Sequence, residues 1–556
     1  MSYVSLSPEA RVLVAEAAAH LASGYDPATG IVTETMEGQP YRSVRNSMYY
    51  ALALLLEKGQ AGTEEAEKII RAVLALQFTD PSQIYYGTFR HPDDPQPPRL
   101  PLPWQTISPE ARYIADMSWE RVTGAFSDAM QSDPALASHA GDVSLLLEKT
   151  LRQIVPVVWD TYEPNLREFI GMTFAMVLEH FAALLSPDLV HAVRESCLAL
   201  TEGAIARLES GLTPYNTNVR IMLIFLLDFF GTRLSRPEWT ELALKEMEKL
   251  TQEYAEFHAV AEFNSPTYCG VDLSTLGFFR RYSANPSLIR LADQMENGIW
   301  HDMAAFYNPA MRAFCGPYSR CYELDMAIHT CFYDILFLGL GKEKFPLHPF
   351  SIESVINPLT VLGDIRIPGD VAELFLSHER HATVLHRYRE LAERGDPTLP
   401  QAVCTTSAVI HPTLMYGAMR GSLNPSHQLH PLVIFWRHGE ALSTLRLLRA
   451  LPDGSLGHLH VVRFDGQAEE GRITMEVIND SPHDVLLRFD LDLPGARPEE
   501  TQITEDIWQL PGLTLAFKAH PKELTLRTFP DSPLSVCYPL KRGEQVRFDI
   551  LLKEEE

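Results

Sequence analysis

Apolar positions over the first two thirds of the chain recur at helical spacing. Residues 7–22 set Val14, Ala17, Ala18 and Leu21 on one stripe, with Ser7 as N-cap ahead of Pro8 in the first turn. The same reading predicts helices over 48–56, ended by Gly59, and 63–77, with a turn at Gly24-Tyr25-Asp26-Pro27 before them. More follow over 108–117, 143–157, 165–185, 187–209, 214–230 and 237–255, then 271–283, 286–305 capped by Asn285, and 323–339. Ile221 to Phe230 is apolar on every side, which places it in the inner layer of a large helical body. A charged stretch near 370–394 predicts one more helix. After Pro400 the texture changes to short, alternating or β-branched runs at 408–410, 432–436, 459–464, 473–478 and 485–491, bounded by Gly, Pro, Asn and Asp. Runs of that kind predict an antiparallel sandwich. The expectation is a helical domain over 1–395 and an antiparallel β-sandwich domain over 396–556.

Three polar stretches interrupt the helical pattern. Residues 78–108 carry Pro at 92, 95, 97, 98, 101 and 103 and aromatics up to Trp104, which predicts a long surface loop: either a sugar-binding rim or a stiff connector. The second stretch is Ala261-Glu262-Phe263-Asn264-Ser265-Pro266-Thr267-Tyr268-Cys269-Gly270-Val271-Asp272. The third is Cys315-Gly316-Pro317-Tyr318-Ser319-Arg320-Cys321-Tyr322-Glu323-Leu324-Asp325. Polar loops set between buried helices are where binding and chemistry concentrate, so these two are expected to meet at one cleft.

Composition narrows the functional classes. The 556 residues are 46% hydrophobic and 21% charged, as in folded globular chains. A net charge of -25 argues against nucleic acid and anionic membranes as main partners. The first residues lack a basic and an apolar region, so a cytoplasmic protein is expected, or a secreted one in mature form. The longest apolar runs, 221–227 and 335–340, fall well short of the ~20 residues that span a bilayer. Seven cysteines without paired C-x-x-C motifs predict buried thiols, and the histidines at 411–438 and 458–460 are irregularly spaced. Neither a metal nor a cofactor is expected. Serine-hydrolase, P-loop and zinc-protease motifs are absent.

Ten or more antiparallel helices followed by a β-sandwich resembles the (α/α)-toroid polysaccharide lyases and the related (α/α)-barrel glycoside hydrolases. The resemblance lies in element order and loop chemistry. It implies a carbohydrate substrate, an Asn or Gln that neutralises a uronate carboxylate, a Tyr or His that removes the C5 proton, a Tyr that protonates the leaving oxygen, and an Arg nearby.

β-Elimination needs the same parts on chemical grounds: a neutralised carboxylate, a base and an acid. Asn264 or Asn216, helped by Arg320, is the candidate for the first role. His329 is the candidate base. Tyr268 is the candidate acid, with Tyr322 in reserve. On the predicted helix Tyr322, Asp325 and His329 share one face, and Asp325 stands four residues before the imidazole. Further substrate contacts are expected from Trp159, Asp160, Asn165, Tyr215, Asn218, Asp272 and Tyr318. A rival reading is an inverting hydrolase using Glu262 and Asp325, with Asp160, Glu163 and Asp272 in reserve. A third is a toroid that binds a glycan or a protein without catalysis. A homo-oligomer is compatible with all three.

Overall fold

The computed structural model describes residues 4–36, 39–93, 104, 125–126, 129–140, 142–143, 146–147, 162–211, 215–326, 329–347, 356–377, 379–390, 401–424, 426–456, 462–481, 484–497, 500–521 and 523–554. These fall into two compact units. One comprises Met1–Gln252, Gly270–Glu296 and Ala327–Arg366, and the other Glu253–Cys269, Asn297–Met326 and Ile367–Glu556.

The first unit is built from helices in two layers. Helix α1 (Pro8–Gly24) starts as the sequence predicts, with the Ser7 hydroxyl accepting from the Ala10 amide at 3.1 Å. A three-stranded antiparallel sheet follows, β1 (Tyr25–Asp26), β2 (Ile31–Met36) and β3 (Gln39–Ser43). Its presence corrects the plain turn expected at 24–27. Helices α2 (Val44–Lys58), α3 (Thr63–Leu74), α4 (Leu166–Phe181), α5 (Pro187–Ser210) and α6 (Thr217–Arg233) come next. Helix α4 packs on both α2 and α6, while α1 and α3 pack on α2, and α5 packs on α3, α4 and α6. Residues 217–231 of α6 are buried on every side, as its unbroken apolar run requires. Alternation of enclosed helices with one-sided ones is the layering of an α/α body. The helices predicted over 108–117 and 143–157 lie wholly or largely outside the described residues.

Helices α7 (Pro237–Phe257), α8 (Pro266–Tyr282), α9 (Pro286–Phe306) and α10 (Thr330–Leu340) continue the series. The Asn285 side chain caps α9, accepting from the Ser287 amide at 3.0 Å. Helix α10 begins at Thr330, not at 323, because 321–326 is irregular backbone whose first amide, that of Cys321, is bonded to a distant loop. Tyr322, Asp325 and His329 therefore do not share a helical face.

The second unit is dominated by antiparallel strands. The helix expected over 370–394 is instead a short helix, α11 (Gly369–Leu376), and a strand, β6 (Ala382–Arg389). Only Tyr388 of that strand is fully buried, so its charges alternate along an exposed edge and mimic a helical pattern. The sheet continues with β7 (Val403–Ile410), β8 (Leu414–Ser422), β9 (Leu432–His438), β10 (Ala441–Ala450), β11 (Val462–Glu469), β12 (Arg472–Asn479) and β13 (Val485–Asp492). It ends with β14 (Gln502–Ile503), β15 (Ile507–Leu510), β16 (Leu513–Ala519), β17 (Thr525–Phe529), β18 (Ser532–Leu540) and β19 (Gln545–Glu554). One path runs β14-β15-β16-β19-β12-β11-β8-β9-β10-β13-β18-β17, with β7 on β8 and β6 on β7. Strands β13 and β19 are far apart on that path, yet the Phe489 and Phe548 rings meet at 5.0 Å. Trp508 of β15 also lies 5.6 Å from Phe489. The sheet thus folds back over one apolar core as a sandwich does. Helical sequence followed by antiparallel β sequence is the observed architecture.

Candidate functional site

Two of the polar loops meet in the second unit, and backbone chemistry explains how. Asn264 sits at φ 53°, a left-handed position that asparagine tolerates better than most residues. Its Nδ2 donates to the carbonyls of Cys315 at 2.8 Å and Pro317 at 3.0 Å. Ser319 returns the contact, its hydroxyl donating to the Phe263 carbonyl at 2.8 Å. The Phe263 ring stacks on Tyr388 of β6 at 4.8 Å and 9°. These bonds hold 262–265 and 315–320 as one piece.

A third segment, 426–430 between β8 and β9, completes it. Tyr318 and His430 exchange amide-to-carbonyl bonds at 3.1 and 3.0 Å, and the Cys321 amide donates to the Gln428 carbonyl at 2.9 Å. Underneath, Gly316 lies directly on β8. A Cβ at Gly417 would fall 2.0 Å from the Gly316 carbonyl oxygen, so only glycine permits the approach.

Arg320 is the hub of the assembly. Its Nη1 donates to Glu262 Oε1 at 2.8 Å, its Nε to Gln428 Oε1 at 2.9 Å, and its Nη2 to the Tyr268 hydroxyl at 2.8 Å. The guanidinium also lies 4.3 Å from the centre of the Tyr268 ring. Glu262 is 1% exposed and Arg320 13%, so the pair is largely withdrawn from water. The Tyr268 hydroxyl is 3.0 Å from that of Tyr322, which is half-buried. Burial pushes the Tyr268 phenol well above its usual range; Arg320 pulls it back in part, while Tyr322 and Glu262 push it further up. Tyr268 therefore keeps its proton. Its oxygen accepts from Arg320, and the two phenol hydroxyls share a hydrogen bond that either can donate, so a hydrogen-bonded path runs from the cation to a half-buried phenol.

The predicted residues divide sharply. Glu262, Asn264, Tyr268, Arg320 and Tyr322 come together. Both amide donors of Asn264 are engaged by loop carbonyls, so its place is that of a staple rather than a carboxylate donor; its Oδ1 is buried and has no partner among the described residues. Glu262 is committed to Arg320, and Asp325 is exposed, an arrangement that does not favour them as an acid and base pair. Tyr318 is fully buried and donates to the Phe314 carbonyl.

The other candidates belong to the first unit. His329 is buried immediately before α10, where its carbonyl accepts from the Phe332 and Tyr333 amides, both at 3.0 Å. Asn216 and Asn218 are buried at the start of α6, and Asp272 is buried within α8. Tyr215 donates towards Glu168 Oε1 at 3.0 Å and the Ala204 carbonyl at 2.8 Å. Asn165 accepts from Arg207 at 2.8 Å, and the Asn165 amide donates to Glu163 Oε1 at 2.8 Å. Trp159 and Asp160 lie outside the described residues. The residue that sequence reasoning missed is Gln428. The polar run Ser426-His427-Gln428 between strands was the available signal, but its pairing with 318–321 crosses a hundred residues of chain.

No curated protein matches the chain. Among solved structures it is similar to heparinase III, at 10% identity and a TM-score of 0.32, covering 82% of this chain and 79% of that one. A mutant chondroitin AC lyase of Streptomyces coelicolor gives 10% identity and 0.36, covering 92% and 83%. A second heparinase III gives 10% and 0.35, covering 99% and 85%. Scores this low carry no argument about activity. A family model, in contrast, matches residues 11–133 and 148–355, more than half of the chain, and the chain belongs to that family, described as Domain of unknown function (DUF8769).

Proposed function

We propose that this chain is a carbohydrate-active enzyme that cleaves a glycosidic bond in a uronate-containing glycan by β-elimination. The observation that carries the reading is the relay from Arg320 through the Tyr268 hydroxyl to the Tyr322 hydroxyl. A phenol makes a useful base only when its anion is stabilised, and here a buried, protonated Tyr268 donates to it with a cation behind. Tyr322 is the catalytic residue: as phenolate it takes the C5 proton, the C4–O bond breaks, a C4–C5 double bond forms, and the same proton passes to the leaving oxygen. Tyr268 and Arg320 act through it. Gln428 turns its Oε1 to Arg320 and so its Nε2 away from the guanidinium, which suits it as donor to the substrate carboxylate. One group serves both proton transfers, so the reading does not require His329.

The test is a panel of uronate glycans followed by the ultraviolet absorbance of the unsaturated product. Absorbance that rises with wild type and is lost with Tyr322→Phe is the expected result. New reducing ends without that absorbance would overturn elimination in favour of hydrolysis. No product across the panel, with glycan binding retained, would leave a binding protein.

A further inference from the structure

A second constellation lies elsewhere in the second unit and takes no part in the relay. Strands β6 and β7 are antiparallel with Ala382 opposite Ile410, so the next pair outward in the same register is His381 opposite His411. Directly opposed residues project to one face of a sheet with their side chains in reach. The two rings do meet: Nδ1 of His381 is 2.9 Å from Nδ1 of His411. On its other side His411 Nε2 lies 3.0 and 3.3 Å from the two oxygens of Glu470. A carboxylate accepts, so Nε2 of His411 carries the proton and its Nδ1 presents a lone pair.

Both backbones are anchored. Arg380, next to His381, donates to the carbonyls of Ala304, Ala305 and Tyr307 at the end of α9, at 2.9 Å for Ala305 and 3.0 Å for Tyr307. The His411 carbonyl accepts from Asn308 Nδ2 at 2.8 Å, and the His411 amide donates to Leu414 across the hairpin turn.

We propose that His381 and His411 form a two-imidazole site for a divalent transition ion of tetragonal preference, copper(II) first. Two nitrogens 2.9 Å apart, each at an ordinary metal–imidazole distance of about 2.0–2.1 Å, subtend about 90° at the ion. That angle belongs to square-planar and tetragonal ions, copper(II) and nickel(II), and is narrow for tetrahedral zinc. The ion takes the place of the proton shared by the two Nδ1 atoms. His381 then carries its proton on Nε2, which its exposed position allows, and no proton is released overall. Glu470 acts as the outer carboxylate that metal-bound histidines ordinarily have. Among the described residues no three His, Cys, Asp or Glu side chains converge on one point, so solvent fills the remaining positions. The bound ion would clip the edge strand β6 to the β7–β8 turn.

The test uses the whole chain, stripped with chelator and titrated with copper(II), nickel(II) and zinc(II) by calorimetry, with electron paramagnetic resonance on the copper form. One equivalent of copper with a tetragonal spectrum and splitting from two nitrogens is expected. Binding should weaken at least tenfold in His381→Gln and in His411→Gln, and about tenfold in Glu470→Gln. His520→Gln, at a site remote in the sheet order, should bind as wild type, and circular dichroism confirms that each variant is folded. Absence of stoichiometric copper binding at micromolar ion would overturn the site. So would full binding in a folded His381→Gln/His411→Gln double variant, or a preference for zinc over copper.

Discussion

Two buried clusters of the same composition, one in each unit, end in opposite ways. In the first unit Arg207 lies 4.1 Å from the Tyr215 ring, and Tyr215 is bonded to Glu168. In the second, Arg320 lies 4.3 Å from the Tyr268 ring and is bonded to Glu262. An arginine, a tyrosine and a glutamate are thus assembled twice. The difference is where the phenol points. Tyr215 directs its hydroxyl inward, to a buried carboxylate and a main-chain carbonyl, and the cluster is an internal brace. Tyr268 accepts from its arginine and is bonded to a second tyrosine that is only half-buried. Composition does not distinguish a brace from a relay; where the hydrogen bonds lead does.

The largest effect that could break this comparison comes from the cation. Arg320→Met removes the cation that faces the buried Glu262 carboxylate, which should cost about 3–5 kcal/mol in urea unfolding and abolish elimination. Loss of activity without loss of stability would mean that the ion pair braces nothing. Next, Tyr322→Phe should lower kcat by about 10²–10⁴ while the melting temperature stays close to wild type, since among the described residues its hydroxyl bonds to Tyr268 alone. Tyr215→Phe is the matching change in the brace. It removes the phenol's hydrogen bond to the buried Glu168 Oε1, and should cost about 1–3 kcal/mol of stability without reducing kcat beyond the folded fraction.

The cost of that last change should depend on pH. Burial raises the Glu168 carboxyl above its ordinary value, while Arg207, Arg167 and the Tyr215 hydroxyl hold it down. Between the unfolded and the raised folded value the folded state binds more protons, so stability falls as pH rises through that window. Removing the hydroxyl extends the window upward, and the penalty measured at about pH 8 should exceed that at about pH 5. A pH-independent penalty would show that the carboxyl is not coupled to the phenol. The smallest effect belongs to Asp325→Asn: an exposed side chain outside the relay should leave kcat within about twofold, whereas a large loss would revive the hydrolytic pair.

Much of this was legible in the chain. The Ser7 and Asn285 caps, the enclosed helix after Thr217 and the strands beyond Val403 each follow from local spacing, and each is where expected. Tyr268, Arg320 and Glu262 were found because polar side chains crowd a turn between helices. The misses have separate physical causes. Residues 323–326 read as the first turn of a helix, yet the segment entering them is bound by the amide of Cys321 to Gln428, and that bond outweighs local propensity. Strand β6 read as helix because an edge strand with one wet face keeps its charges. His329 and Asp325 were linked only through a helix that starts too late to contain both.

The contact between Gly316 and Gly417 has a consequence for any attempt to vary this protein. A Cβ at 417 would fall on the Gly316 carbonyl and one at 316 would fall 2.7 Å from Val433 Cβ, so neither position has room for a side chain, and even alanine at 417 would wedge the loop bearing Arg320 off the sheet. A mutational library should therefore show two intolerant columns a hundred residues apart, at positions that touch neither phenol of the relay. Their depletion would report on alignment of the Arg320 loop rather than on its chemistry.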